Sequence, residues 1–328
     1  MAMSGRVVVT GANGFVGRAV CRALLDAGYG ATGLVRQTGT CIAGVDEWVA
    51  PAPDFDRIEG TWPASLQADA VIHLAARVHV MDDTALDPLA AFRATNVEGA
   101  LRMAKAAHRH GVRRFVYASS IKAVAELDPG RPLRESDPAC PEDAYGRSKL
   151  EAEMALRQWG EESGLDVVVV RPPLVYGPGV RANFLALMHA IAKGIPLPLG
   201  AVSAQRSLVY VDNLADAFAR CVTDPGASAG CFHVADDESP TVAELARMLG
   251  KHLHKPARLL PVPVAYLRLA GKMTGRLPQV ERLTGNLRVD NASIRTALDW
   301  RPRCSLDEGL ERTARWYRTT ERRGADGN

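Results

Sequence analysis

No stretch of the chain reaches about 18 uninterrupted apolar residues, so a membrane-spanning helix is not expected. The first residues lack the apolar core of a secretory signal, which predicts a cytoplasmic protein. The six cysteines (Cys21, Cys41, Cys140, Cys221, Cys231, Cys304) never form Cys-x-x-Cys and read as reduced thiols. Charge of one sign is also missing. Against 40 basic residues stand 37 acidic ones, a net charge of +3, and no zinc-finger or basic-stripe pattern occurs. A nucleic-acid partner is therefore not expected. Repeats and low-complexity runs are absent. His252 and His254 point apart at their spacing and have no acid or cysteine beside them, so no metal site is expected. His73 lies inside an apolar strand and reads as a hydrogen-bonded core residue.

What is present is a core and an alternation. Hydrophobic content of 47% over 328 residues supports one large or two modest domains. Strand-like runs at Arg6–Thr10, Ala31–Val35, Ala70–Leu74, Phe115–Ser119 and Asp166–Val170 alternate with helical stretches at Gly14–Ala27, Leu86–His110 and Tyr145–Ser163. That alternation predicts an α/β protein built on a doubly wound parallel sheet. Prolines at 51, 53 and 63 break the pattern between Gly39 and Gln67, where an edge strand near Trp48 is expected. Ser207–Val211 and Cys231–Val234 are expected to return to the main sheet. Asp212-Asn213 reads as a helix N-cap. The apolar stretch Leu259–Leu283, with interspersed Arg and Lys, reads as a helix packed in the second lobe rather than one lying on a membrane surface.

The first strand runs directly into Gly11-Ala12-Asn13-Gly14-Phe15-Val16-Gly17 and a helical stretch. Strand, glycine turn and helix N-terminus together form an anion site suited to a dinucleotide pyrophosphate. Gly11 permits the turn, Gly14 lets a phosphate approach, and Gly17 lets the helix pack on the strand. The second strand ends in Arg36 and lacks the acid that usually holds the adenosine ribose; Asp26 comes too early and Asp46 too late. Arg36 suits a 2′-phosphate, which favours NADP(H) over NAD. The other reading is a solvated arginine or one stacked on adenine.

Tyr145 and Lys149 are four residues apart and share a helix face. A phenol is a weak base at its free pKa of about 10; a nearby ammonium favours the phenolate. Ser120, at the end of the apolar run Arg114–Ser119, is placed to hold a substrate oxygen; Ser119 is the alternative. This set moves a proton at an alcohol or ketone while a hydride moves at the same carbon.

With these motifs the chain resembles the extended short-chain dehydrogenase/reductases, in the branch acting on nucleotide sugars. The likeness extends over Val71 to Ala76, Asn96-Val97-Glu98-Gly99, Arg171 to Gly179, Arg206 to Asn213 and Asp290 to Trp300. The resemblance implies a Rossmann domain over 1–172, with 206–234 returning to it, and a smaller α/β substrate-binding lobe over 173–328. It implies a homodimer formed through the helices Leu86–His110 and Tyr145–Ser163. Cofactor contacts would come from Gly11, Asn13, Gly14, Phe15, Val16, Gly17, Arg36, Leu74, Ala75, Ala76, Tyr145, Lys149, Pro172 and Val175. Ser120, Tyr145 and Lys149 would be catalytic. A UDP-sugar would be held by Ser120, Lys122, Asn183 and Arg206, with Arg282 or Arg288 as second diphosphate arginine. Asn183 reads equally as a helix cap, and Lys122 as solvated; His79 is a lesser candidate beside the site.

Related sugar-nucleotide 4,6-dehydratases carry an Asp-Glu pair after the serine or threonine. Here Ile121 and Lys122 fill those positions, so dehydration is not expected. Two activities remain: reduction of a 4-keto sugar with diffusible NAD(P)H, or 4-epimerisation with tightly held NAD. Ser-Ser-Ile-Lys resembles bacterial polysaccharide enzymes that reduce UDP-4-keto-6-deoxy-N-acetylhexosamine, and Arg36 tilts the reading toward the reductase. A non-catalytic NADP sensor is the minor alternative, disfavoured because Ser120, Tyr145 and Lys149 are all present.

Overall fold

The computed structural model describes residues 5–50, 52–78 and 87–325; His79 and Leu86 lie outside them. The centre is a seven-stranded sheet, all ladders parallel, made of β1 (Arg6–Thr10), β2 (Gly30–Val35), β3 (Asp46–Val49), β4 (Ala70–His73), β5 (Arg114–Ala118), β6 (Asp166–Arg171) and β9 (Cys231–His233). Its order is β3-β2-β1-β4-β5-β6-β9. Val7, Val8 and Val9 are all fully buried, because both sheet faces are covered. Side chains alternate between two cores. Val7, Val9, Ile72, Val116 and Val168 face one, with Leu24 of α1 (Phe15–Asp26) and Leu214 of α6 (Val211–Thr223). Val8, Val71, Phe115 and Val169 face the other, with Met103 of α3 (Ala100–Arg109) and Leu156 of α4 (Ala144–Ser163). Each such Val or Leu contributes about 1.5–3 kcal/mol by leaving water.

The edge strand expected near Trp48 is β3. The strand order reverses between β1 and β4, and ligands of such sheets sit at the carboxyl ends beside that reversal. There Thr10 pairs with His73 in register. The Thr10 hydroxyl accepts the backbone N–H groups of Leu74 and Ala75, each at 3.1 Å, which holds the loop after β4 open beside the glycine turn.

Several expectations change. The helix expected to end at His110 is α2 (Pro88–Arg93), a π-helical stretch Ala94–Gly99, and then α3. The widened turn carries Asn96, whose buried side chain bonds Ser148 and both backbone groups of Arg77. π-Turns of this kind are frequent at functional sites.

Of the segment 206–234, only Cys231–His233 joins the main sheet. β8 (Leu208–Tyr210) pairs instead with β7 (Leu174–Tyr176) in a separate two-stranded sheet. The physical reason is that β9 already occupies the free edge of β6. Asp212-Asn213 is not a cap, since α6 begins at Val211 with Tyr210 in the cap position. Asn213 is buried and faces inward. It donates to Asp236 and to the Cys304 carbonyl, both at 2.8 Å, and accepts the amides of Arg303 and Cys304.

The remaining helices are α5 (Ala182–Ala192), α7 (Val242–His252), α8 (Val264–Met273), α9 (Leu277–Thr284), α10 (Ala292–Leu298) and α11 (Leu306–Ala325). Leu259–Leu283 does not pack as one buried helix. It splits into α8 and α9, and Gly271 is the sole buried residue of the pair. Among the described residues no helix is long and apolar enough to cross a membrane.

Candidate active site

The glycine turn is shaped by crowding. Gly11 adopts φ +67°. A Cβ on Gly17 would lie 2.1 Å from the Gly11 carbonyl oxygen and 2.8 Å from the Ala12 Cα, so only glycine lets α1 start this close to β1. Gly14 caps α1 without a side chain, leaving the amides of the first turn for an outside acceptor. Phe15 packs beside Gly179, and Val16 borders the core. Gly17→Ala is expected to lower stability by about 1–3 kcal/mol through overpacking and to abolish dinucleotide binding. Thermal unfolding with and without NAD(P)H checks both effects; unchanged cofactor stabilisation would refute the assignment.

Arg18 donates to the Asn13 carbonyl at 3.0 Å and to the Thr40 carbonyl at 3.2 Å, tying the loop after β2 to the glycine turn. Arg36 stands exposed at the start of that loop and makes no ion pair among the described residues. Glu47 was not anticipated. Its carboxylate accepts the amides of Gly39, Thr40 and Cys41 at 2.6, 2.9 and 2.8 Å, and these bonds hold its pKa below the usual range. Only folding brings β3 to that loop.

Across the crevice, Asp143 caps α4 by accepting the Gly146 amide at 2.7 Å. A Cβ on Gly146 would lie 2.3 Å from the Lys122 carbonyl oxygen, so glycine after Tyr145 is what seats α4 against the loop carrying Ser120. The Ser120 hydroxyl acts on the Tyr145 phenol, opposing the rise of its pKa, and accepts the Lys122 amide at 3.2 Å. Ser119 is sequestered: its hydroxyl donates to Glu153 in the interior. Ser120, the serine preferred for its spacing to Tyr145, is not tied into that interior pair. The Lys149 ammonium lies 5.8 Å from the Tyr145 ring centroid and 4.7 Å from that of Tyr117. It donates to the Ala118 carbonyl at 2.7 Å.

The electrostatics differ from the expected lowered phenol. Burial pushes the Tyr145 pKa up to about 12, with Asp143 adding to the rise and Ser120 opposing it. Burial also lowers Lys149 to about 7. In the protein alone the phenol is a proton donor. His73 is the core residue expected, bonded through Nδ1 to Thr10 at 3.2 Å and lowered to about 3 by burial.

The residues fit a nicotinamide dinucleotide. Besides the bare helix start at Gly14, Lys149 is a buried amine with no carboxylate at ion-pair distance among the described residues, Glu153 acting on it only from further off. Leu74, Ala75 and Ala76 form the loop on Thr10, and the Pro172 carbonyl accepts the Ile121 amide at 3.0 Å, holding Pro172 and Val175 of β7 beside the Ser120 loop.

The cations expected at the substrate lie around three carboxylates, Glu126, Asp128 and Asp143. Lys122 is not free: partly exposed, it pairs with Glu126 at 2.8 Å and Asp143 at 2.7 Å. Arg288 forks onto Asp128 at 2.9 and 3.1 Å. Arg282 makes only a 4.0 Å contact with Glu126. Arg206 makes no ion pair among the described residues, and burial lowers its pKa although Glu126 and Asp128 oppose this. Asn183 is exposed on the first turn of α5, where Arg181 takes the cap position, so the cap reading does not hold. His252 bonds Asp307 at 2.8 Å, and no metal-ligand cluster occurs among the described residues.

A switch-point crevice with this Ser–Tyr–Lys arrangement defines the extended short-chain dehydrogenase/reductase class. Residues 7–234 match the NAD dependent epimerase/dehydratase family, and the chain belongs to it. It is 38% identical over 318 residues to a UDP-glucose 4-epimerase of Vibrio cholerae, covering 96% of both chains. The fold is shared with a UDP-glucose 4-epimerase of Thermotoga maritima solved with UDP-glucose (TM-score 0.77, 23% identity, 96% of this chain and 99% of that one). A UDP-glucose 4-epimerase of Thermus thermophilus in complex with NAD also shares it (TM-score 0.77, 23% identity, 95% and 99%).

Proposed function

We propose that this protein is an NAD(P)-dependent nucleotide-sugar oxidoreductase acting at C4 of the sugar, reducing a UDP-4-keto-6-deoxy-N-acetylhexosamine in surface-polysaccharide synthesis. The observation that carries this reading is the Tyr145 phenol, kept protonated beside Ser120 and Lys149 with no carboxylate at positions 121 and 122. When bound, the reduced nicotinamide supplies a hydride. Ser120 holds the C4 oxygen, Tyr145 delivers its proton to that oxygen, and the Lys149 ammonium offsets the phenolate left behind. Glu126 and Asp143 are both ion-paired to Lys122 and so serve as acceptors rather than acids for dehydration. Arg206 and Arg282 clamp the diphosphate, because neither is committed to a close carboxylate as Arg288 is. Clamping places the reacting carbon, so remote binding energy supports the chemical step. Met154, exposed on α4, lies on the helix through which two copies would pair.

A second reading, 4-epimerisation with tightly held NAD, is favoured by the Vibrio cholerae relative. Absorbance of the reduced nicotinamide separates the two. Many turnovers of NADPH or NADH consumption with the 4-keto sugar support the reductase. No consumption, with interconversion of UDP-N-acetylglucosamine or UDP-glucose with their C4 epimers, supports the epimerase. Arg36→Ala is expected to lower kcat/KM for NADPH roughly 10- to 100-fold, the worth of one charge-assisted hydrogen bond, and to leave NADH unaffected. Equal effects on both cofactors would remove Arg36 from the 2′-phosphate.

A further inference from the structure

We propose that the α8–α9 hairpin is a docking element that seats the protein on an anionic lipid surface. The hairpin closes on itself, with Gly271 set against Leu277 and Val280. Leu267 is the side chain of α8 that reaches the small core of Leu199, Val202, Ala204 and Val242. On the opposite face Tyr266, Leu269 and Met273 are exposed at 65%, 55% and 81%. Adding Leu260 and Leu283, this segment holds five of the ten large apolar side chains exposed among the described residues, so the exposure is a patch rather than a scatter. A helix apolar on both faces is expected to be covered.

Charge identifies the cover. Residues 255–276 carry Lys255, Arg258, Arg268, Lys272 and Arg276 and no acid, a net +5 in a chain whose total is +3. No Asp or Glu occurs anywhere from 245 to 280. None of those five cations is ion-paired among the described residues. Self-pairing of this segment would bring like charges together, Arg268 and Lys272 of α8 among them, which disfavours a second copy. Aromatic and aliphatic side chains on a helix that also carries Arg268 and Lys272, in a segment without acids, suit the headgroup layer of an anionic membrane. The hairpin leads into the substrate cleft: Arg282 of α9 approaches Glu126, and Gly285 abuts Leu127.

The test is sedimentation of the full chain with phosphatidylcholine vesicles, with and without phosphatidylglycerol. Binding is expected to the anionic vesicles at low salt and to weaken as salt is raised. Leu269→Glu/Met273→Glu and, separately, Arg268→Glu/Lys272→Glu should each lower the partition coefficient by ~10-fold or more, with circular dichroism and thermal unfolding unchanged. The proposal is overturned if the native chain ignores anionic vesicles at low salt, or if both variants bind undiminished. It is also overturned if the Glu variants dissolve a self-association instead.

Discussion

Tyr145→Phe is expected to reduce turnover at least ~10²-fold, the range in which loss of a proton-transfer group falls, while stability and cofactor binding stay near their original values. The ring's edge contact with Phe92, at 6.0 Å between centroids, survives the change. Only the hydroxyl and the influence of Ser120 on it are lost. The reduction needs that hydroxyl as an acid, and burial keeps it protonated through the neutral range. Single-turnover oxidation of NADPH, with thermal unfolding as control, checks the result. A variant that still turns over at native rate would remove Tyr145 from the chemistry and reopen the sensor reading.

The largest expected effect on stability lies just behind the site. Glu153 of α4 and Arg171 of β6 are both buried and paired, Nε to Oε1 at 2.9 Å, and the Ser119 hydroxyl joins them. Arg171→Met leaves Glu153 buried without its counter-charge, which should cost about 3–5 kcal/mol. Replacing both, Glu153→Leu/Arg171→Met, should recover most of that loss, because an apolar pair carries no desolvation penalty. Denaturant midpoints of the two single variants and the double variant measure the coupling. Additive losses would show that the charges do not depend on each other.

These predictions draw on different depths of legibility. Tyr145 and Lys149 were readable together because four residues along a helix is a local distance. Glu153, four further on, carried no such signal, since its partner Arg171 lies on another element and the pair forms only when β6 docks on α4. Glu47 was invisible for the same reason. Asn213 shows how a local rule misleads: Asp-Asn before an apolar helix resembles a cap, yet the amides it satisfies belong to Arg303 and Cys304.

The sequence by itself determined the parallel α/β architecture and the glycine turn between β1 and α1, because apolar runs, helix periods and the absence of a Cβ act over a few residues. Tertiary structure alone decided which arginine Asp128 ties down and that β8 leaves the main sheet. It also decided that α8 keeps one apolar face outside the chain's own core. Each depends on which distant side chain or strand edge arrives first at a single partner, and that competition is settled only when the chain is packed.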